Sequence, residues 1–333
     1  MLSIDIGSKK VCVVEGRSQK GSITVDFCKS IEFEEEVVSN GKIVNRPAVS
    51  FLINEIIKTN KIKSKAAVVT INNSDIIVRD FTFPQVKKRQ LRQLVNSEML
   101  QVVGTDSNFI IDFTVNGVTD NNMLSVKAYA VSEDIIESYF SLIKELKLKP
   151  YAMDLHANSI SKLFLGKAIN GKTQENSSVI LADIGYSQII FHGFKNGKSQ
   201  FCRTENSPVQ SLVTDLSSAT RSEFGESEAE KLDFSPDAEY ESSIVADACK
   251  FFVHRLSEAI QRYILYNITT TQIEAVSHIY IYGGIAAAKG LDIMLSDLLK
   301  VPVEVVKNVE GIVLPDGCRM HGICNAVGAL IRE

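Results

Sequence analysis

The sequence predicts an α/β protein built from two similar halves, with a smaller α+β unit inserted in the first. Three observations carry that reading. The stretch Leu2-Ser3-Ile4-Asp5-Ile6-Gly7-Ser8 returns as Ile180-Leu181-Ala182-Asp183-Ile184-Gly185-Tyr186-Ser187, each an apolar run closed by Asp-Ile-Gly. Each copy then enters a second β-like run, Val11 to Val14 or Ile189 to Phe191, and turns at Gly21 or Asn196-Gly197 into a third. Asn-Gly between apolar runs is a strong hairpin signal. Between the copies, residues 80–151 read as strand, helix, strand, strand, helix, a different order from either flank.

The chemistry of the repeated turn follows from its residue types. A glycine at the end of a buried strand lets backbone approach a ligand closely. Successive N–H groups in the turn can point at an anion such as phosphate. A carboxylate beside it suits Mg²⁺ held largely through water. Asp5 and Asp183 are therefore the candidate Mg²⁺ residues. Gly7, Ser8, Lys9, Gly185, Tyr186 and Ser187 are the candidate phosphate-turn residues. Two such turns face to face would clasp a nucleotide between the halves.

Composition sets the bounds. The 333 residues suit about two domains. A net charge of −4 argues against a general nucleic-acid surface, and the Lys-rich spots at 58–65 and 87–89 read as solvated helix ends. No apolar run reaches the roughly 18 residues of a membrane span. No basic leader precedes Leu2, so the expected location is the cytoplasm. Cys12, Cys28, Cys202 and Cys249 lie on apolar segments and read as reduced core residues. Cys318-x-x-His321-x-x-Cys324 has no second ligand pair to complete a zinc site.

In chain order, Asn40-Gly41 is a turn. Pro47 opens a helix with Val49, Leu52, Ile53, Ile56 and Ile57 at helical spacing. A strand follows at 67–71. Then comes the inserted unit: strand 76–83, helix 89–102 with Leu91, Leu94, Val95 and Met99 on one face, strands 108–115 and 123–131, and helix 133–148. Phe81 and Phe83 read as its core. Pro150 ends the unit, and a helix runs from Met153 to about Lys167. Residues 171–177 read as the hinge into the second half. There, after the repeated motif, come helix 210–221 and a long helix from Ser243 to about Asn267. Its face Phe251-Phe252, Leu256, Ile260, Tyr263 and Ile264 points to core. Strand 278–282 closes on Gly283-Gly284-Ile285, where a ribose or flat ring could lie on bare backbone. A helix to about Lys300, a strand at 303–306 and a small-residue helix at 322–331 complete the pattern.

Asp5-Ile6-Gly7-Ser8, Asp183-Ile184-Gly185, Tyr282-Gly283-Gly284 and the small-residue last helix stand in the order of the actin/Hsp70/sugar-kinase ATPase fold. They resemble its two phosphate loops, its adenosine motif and its second connecting helix. Within that fold the chain resembles the PilM family of type IV pilus assembly proteins, an FtsA-like subfamily. Further likeness lies in Arg79-Asp80-Phe81-Thr82-Phe83-Pro84, Tyr151-Ala152-Met153-Asp154-Leu155 and Phe201-Cys202-Arg203.

The resemblance implies two duplicated ribonuclease-H-like halves. These are 1–79 with 152–175, and 176–333 with a smaller subdomain at about 208–275. It implies an FtsA-type α+β insert at 80–151. It implies ATP with Mg²⁺ in the cleft, Gly283, Gly284 and Ile285 at the nucleoside, and Asp154 orienting a water. It implies a groove beside the insert that takes the cytoplasmic N-terminal peptide of PilN, linking the PilN–PilO platform to the pilus motor ATPase. The chain departs from the family at Cys12, aligned with a lysine, at Asp233, aligned with the lysine of a Glu-x-x-Lys motif, and at Asn206-Ser207-Pro208, aligned with Gly-Gly. These departures predict slow or absent hydrolysis. The alternatives are a small-molecule kinase of the same fold and an FtsA-like division or filament protein. No convergent substrate pocket with a base is apparent for the first. For the second, the chain stops at Glu333 straight after the packed helix, with no membrane anchor expected; membrane association would run through partners.

Overall fold

The structure, a computed structural model, describes residues 1–19, 21–104, 108–222, 224–271 and 275–332. The first half opens with β1 (Leu2–Ile6), β2 (Lys10–Gln19) and β3 (Ser22–Glu32), then a small hairpin of β4 (Val38–Ser39) and β5 (Lys42–Ile43) around Asn40-Gly41. Helix α1 (Arg46–Thr59) is capped by Asn45, whose side chain accepts the Ala48 N–H. β6 (Ala66–Ile71) follows. The insert contributes β7 (Ile77–Pro84), α2 (Lys88–Val103), β8 (Phe109–Val118) and β9 (Met123–Ser132). Helix α3 (Glu133–Glu145), β10 (Lys149–Leu155) and α4 (His156–Phe164) close the first half.

The second half runs β11 (Ser178–Ile184), β12 (Gln188–Lys195), β13 (Lys198–Asn206), α5 (Val209–Thr220), α6 (Glu226–Ala229), α7 (Ser243–Thr271), β14 (His278–Tyr282), α8 (Leu291–Leu299), β15 (Val303–Val305), β16 (Ile312–Val313) and α9 (Cys324–Ala329). None of the described helices is long and apolar enough to cross a membrane.

The two sheets repeat one topology. The first has order β10-β6-β1-β2-β3-β16 and the second β13-β12-β11-β14-β15. In each, a three-strand antiparallel meander is extended by two parallel strands on the side of its first strand. Strand alternation sorts side chains between layers. Leu2, Ile4 and Ile6 pack outward under α1 and α3. Ile180, Ala182 and Ile184 pack outward under α5, α7 and α8. The inner faces, with Cys12, Val14, Val179 and Leu181, share a third core with α4 and α9. Asp5 and Asp183 occupy inward positions in this alternation, so both carboxylates meet between the halves.

Several expectations are corrected. The segment after Pro150 is strand β10 before it is helix. Pro150 is tolerated because β10 is an edge strand, and the register shifts between Pro150 and Ala152. Helix α3, expected to close the insert, buries Ile135, Tyr139, Leu142 and Ile143 with the outer face of the first sheet. The insert's own core is Phe83, Leu91, Val95, Met99, Val126, Ala128 and Ala130. Phe251 is 53% exposed, because Phe252, Leu256, Ile260 and Tyr263 set the buried face of α7. Cys28 is not a free thiol but is joined to Cys318 by a disulfide, and free Cys202 is exposed. β16, parallel to β3 at Ile23 and Thr24, is too short to carry a periodic signal.

Candidate functional site

The two Asp-Ile-Gly turns have the same geometry. The Gly7 N–H donates to the Lys10 carbonyl at 2.8 Å, and the Gly185 N–H to the Gln188 carbonyl at 3.1 Å. They face each other across a cleft, and the Ser8 and Ser187 hydroxyls are 3.0 Å apart. The cleft is lined by every turn residue expected from the sequence: Asp5, Gly7, Ser8, Lys9, Asp183, Gly185, Tyr186 and Ser187. Gly283 and Gly284 also line it. Ile285 does not; it is fully buried in the core under the second sheet.

Gly283 is required twice over. Its φ is +101°, and a Cβ there would lie 2.6 Å from the Ile184 carbonyl oxygen and 2.7 Å from Asp183 Oδ1. The Gly-Gly corner thus presses directly against the second turn.

Asp154 is held elsewhere. Its carboxylate accepts from Asn158 at 2.6 Å, Lys162 at 2.5 Å and Arg332 at 2.9 Å, and it is not among the cleft-lining residues. The structure therefore gives it a bracing position between α4 and the segment after α9. The aspartates at the cleft have other partners. His156 Nε2 lies 2.8 Å from Asp5 Oδ1, and the Thr70 hydroxyl donates to the same oxygen at 2.5 Å. Burial alone would raise the Asp5 pKa; the His156 charge and these hydrogen bonds outweigh it and hold the carboxylate ionised. In turn, burial would lower the His156 pKa, and Asp5 raises it. Asp183 accepts from Asn325 Nδ2 at 2.8 Å, and burial pushes its pKa up to about 6.

The carboxylates fit a water-bridged cation. Asp183 accepts Asn325 through Oδ2, and no hydrogen bond to its Oδ1 is found among the described residues, so that oxygen is left for an outer ligand. Among the described residues no cluster of three or more His, Cys, Asp or Glu side chains could hold a metal directly. Two carboxylates with water and phosphate oxygens match the way Mg²⁺ is usually bound. The Cys318–His321–Cys324 stretch is not a metal centre: Cys318 is in the disulfide, His321 Nδ1 faces the Gly283 carbonyl, and the Cys324 thiol donates to the Met320 carbonyl.

The three departures have clear positions. Cys12 lines the cleft, and burial pushes its thiol up to about 12, so it stays neutral. Asp233 pairs with Lys289 at 2.6 Å. The Ser207 N–H donates to the Ser187 carbonyl, and the Ser207 hydroxyl accepts from Val209 N–H at the start of α5.

Sequence reasoning missed His156, Asn325, Lys10 and Glu226, all of which line the cleft. Glu226 is 3% exposed, and its Oε1 lies 1.6 Å from where a Gly284 Cβ would stand. Glu32, at the end of β3, bridges the halves: its carboxylate accepts from the Glu226 and Ser227 N–H groups and the Ser227 hydroxyl.

A second hollow lies between the β4–β5 hairpin and the insert. Ser39, Lys42, Asp75, Phe109, Asp134 and Ile135 line it, and Lys42 pairs with Asp134 at 3.1 Å.

Comparison with known proteins places this geometry. Among solved structures, a PilM–PilN type IV pilus biogenesis complex matches with TM-score 0.79 at 15% identity, covering 99% of this chain and 97% of that one. The ethanolamine utilization protein EutJ from Carboxydothermus hydrogenoformans matches with TM-score 0.59 at 14% identity, over 99% and 88%. MreB5 of Spiroplasma citri bound to AMPPNP matches with TM-score 0.50 at 11% identity, over 98% and 93%. The fold is that of the actin-like ATPases. No curated protein matches the sequence. The family model described as type IV pilus assembly protein PilM covers residues 3–327. The chain therefore belongs to the type IV pilus assembly protein PilM family.

Proposed function

We propose that the chain is a nucleotide-binding scaffold of type IV pilus assembly that takes the cytoplasmic N-terminal peptide of PilN. The observation that carries this is the family match over residues 3–327. The neighbour's PilM–PilN complex, superposing over 99% of this chain, supports the choice of partner. The hollow beside the insert is the peptide site in this reading. Its Lys42 and Asp134 offer both charges, and Phe109 and Ile135 offer apolar contact. Through PilN the protein sits at the cytoplasmic face of the membrane, linked to the PilN–PilO platform and the motor ATPase.

In the cleft, the backbone of the two turns and the Ser8 and Ser187 hydroxyls cradle phosphates. Gly283 and Gly284 leave room for the nucleoside. Asp5 and Asp183 hold waters of a Mg²⁺ ion, which when bound neutralises phosphate charge. His156, Thr70 and Asn325 orient the two carboxylates. ATP is the nucleotide in this reading.

A synthetic peptide from the cytoplasmic N-terminus of the neighbouring PilN tests the proposal by calorimetry, with and without Mg-ATP. Saturable binding is expected, and an effect of ATP on it would couple cleft to groove. No binding in either state removes the PilN assignment.

A further inference from the structure

We propose that Lys10 supplies the ammonium group that anchors the phosphate tail of a nucleotide in the cleft; this rests on the nucleotide reading above. The cleft is an acidic place for a polyanion. Asp5, Asp183 and the nearly buried Glu226 all line it, and Glu32 is bonded to the Glu226 N–H. Phosphates entering there need positive charge from the protein as well as from any ion.

The basic lining residues are Lys9, Lys10, His156 and His321. Three of them are committed. The Lys9 ammonium donates to the Glu34 carbonyl at 2.9 Å and lies over the Tyr186 ring, 5.6 Å from its centroid. His156 is engaged by Asp5. His321 faces the Gly283 carbonyl, and burial lowers its pKa and favours the neutral ring. Lys10 alone keeps an ammonium with no hydrogen bond or ion pair among the described residues. It acts only at range, on Glu32, Glu226, Cys12 and His321.

Its position in the fold aims it at the turn. Lys10 is the first residue of β2, and its own carbonyl closes the first phosphate turn by accepting the Gly7 N–H. Alternation puts residues 10, 12 and 14 on one face of β2, and Cys12 and Val14 belong to the core between the sheets. Lys10 therefore lies on the cleft side of the strand, one step nearer the turn than the neutral Cys12. The matching position in the second copy is Gln188, whose side-chain oxygen accepts from Asn72 at 2.8 Å. One copy thus spends this position on joining the halves, and the other leaves a cation with no hydrogen bond or ion pair among the described residues.

The test is calorimetric binding of ATP and of adenosine to the full chain and to Lys10→Met, Lys10→Arg and Lys88→Met, the last an exposed lysine of α2 outside the cleft. Loss of a charge-assisted contact predicts ATP binding weaker by about tenfold or more in Lys10→Met. Adenosine binding stays unchanged, the salt dependence of ATP binding becomes shallower, Lys10→Arg keeps most of the ATP affinity, and Lys88→Met behaves as the parent. Unchanged ATP affinity in Lys10→Met overturns the assignment. So does equal loss of ATP and adenosine, which makes Lys10 structural, or an equal loss in Lys88→Met, which makes the effect one of net charge. If the parent chain binds adenosine but not ATP, Lys10 anchors nothing. If it binds neither, the nucleotide reading itself fails.

Discussion

Replacing Gly328 with alanine should loosen the joint between the halves. Gly328 sits in α9 where that helix crosses α4. A Cβ there would lie 2.3 Å from the Ser159 carbonyl oxygen, 2.7 Å from its carbon and 3.2 Å from its Cα. Ordinary contact starts near 3.4 Å, so the helices must part by about 1 Å. The atoms met are backbone of another helix and cannot rotate aside. Overpacking of this kind costs about 1–3 kcal/mol, and the upper part of that range applies. Alanine returns about 1 kcal/mol of helix propensity. The clash wins, leaving a net loss of about 2 kcal/mol, because separating α4 and α9 also opens the core of Ile160, Leu163 and Val327. Thermal unfolding followed by circular dichroism should show Tm lower by roughly 4–8 °C. Gly322→Ala, with nothing within 4 Å of its Cβ, is the control and should move little. A Gly328→Ala protein that melts with the parent, or above it, would refute the close-approach argument.

Asp5→Ala combined with Asp183→Ala should abolish Mg²⁺-dependent ATP binding, and unchanged affinity by calorimetry would remove both from the site. Burial would raise the Glu32 pKa, but the Ser227 hydroxyl and the two N–H groups of α6 hold it below its ordinary value of 4.5. A depressed carboxylate stabilises above its unfolded pKa. Its bridge should thus be intact above about pH 4.5 and fade as pH falls through the lower folded value. Denaturant midpoints of Glu32→Gln and parent should converge at acid pH; a constant gap would count against it. Reducing Cys28–Cys318, which closes a separation of 290 residues, should lower stability by up to about 6 kcal/mol in the chain-entropy view. Cys28→Ser should reproduce the drop and be insensitive to reductant; an additive effect of the two would argue that another bond is being reduced.

What was legible in the sequence was what short-range pattern encodes. The twin Asp-Ile-Gly turns single out Asp5 and Asp183 by residue type and repetition, while the inward face that both share is set by which sheet face each core covers. Strand β10 was hidden because Pro150 reads as a breaker, and only its edge position makes it acceptable. Helix α3 has a clear amphipathic face, but nothing local says which sheet that face meets. Lys9 and Lys10 are adjacent and alike in sequence. Extending the strand parity from Cys12 and Val14 back by two residues would have singled out Lys10. His156, Asn325 and Glu226 reach the cleft from segments far from the turns, and the Cys28–Cys318 pair is as distant in sequence, so periodicity carries no trace of either.

The pairing of β16 with β3 bears on how the protein is made. Ile23 and Val25 belong to a strand whose outer edge, among the described residues, is paired by Ile312 and Val313 alone, opposite Ile23 and Thr24. During synthesis the ribosome must deliver nearly 290 further residues before that edge is closed. Throughout that interval a nascent strand with buried-type side chains stands open to pairing with other chains. Covering it is therefore among the last events of folding, and the time of greatest exposure to aggregation falls before the final segment emerges.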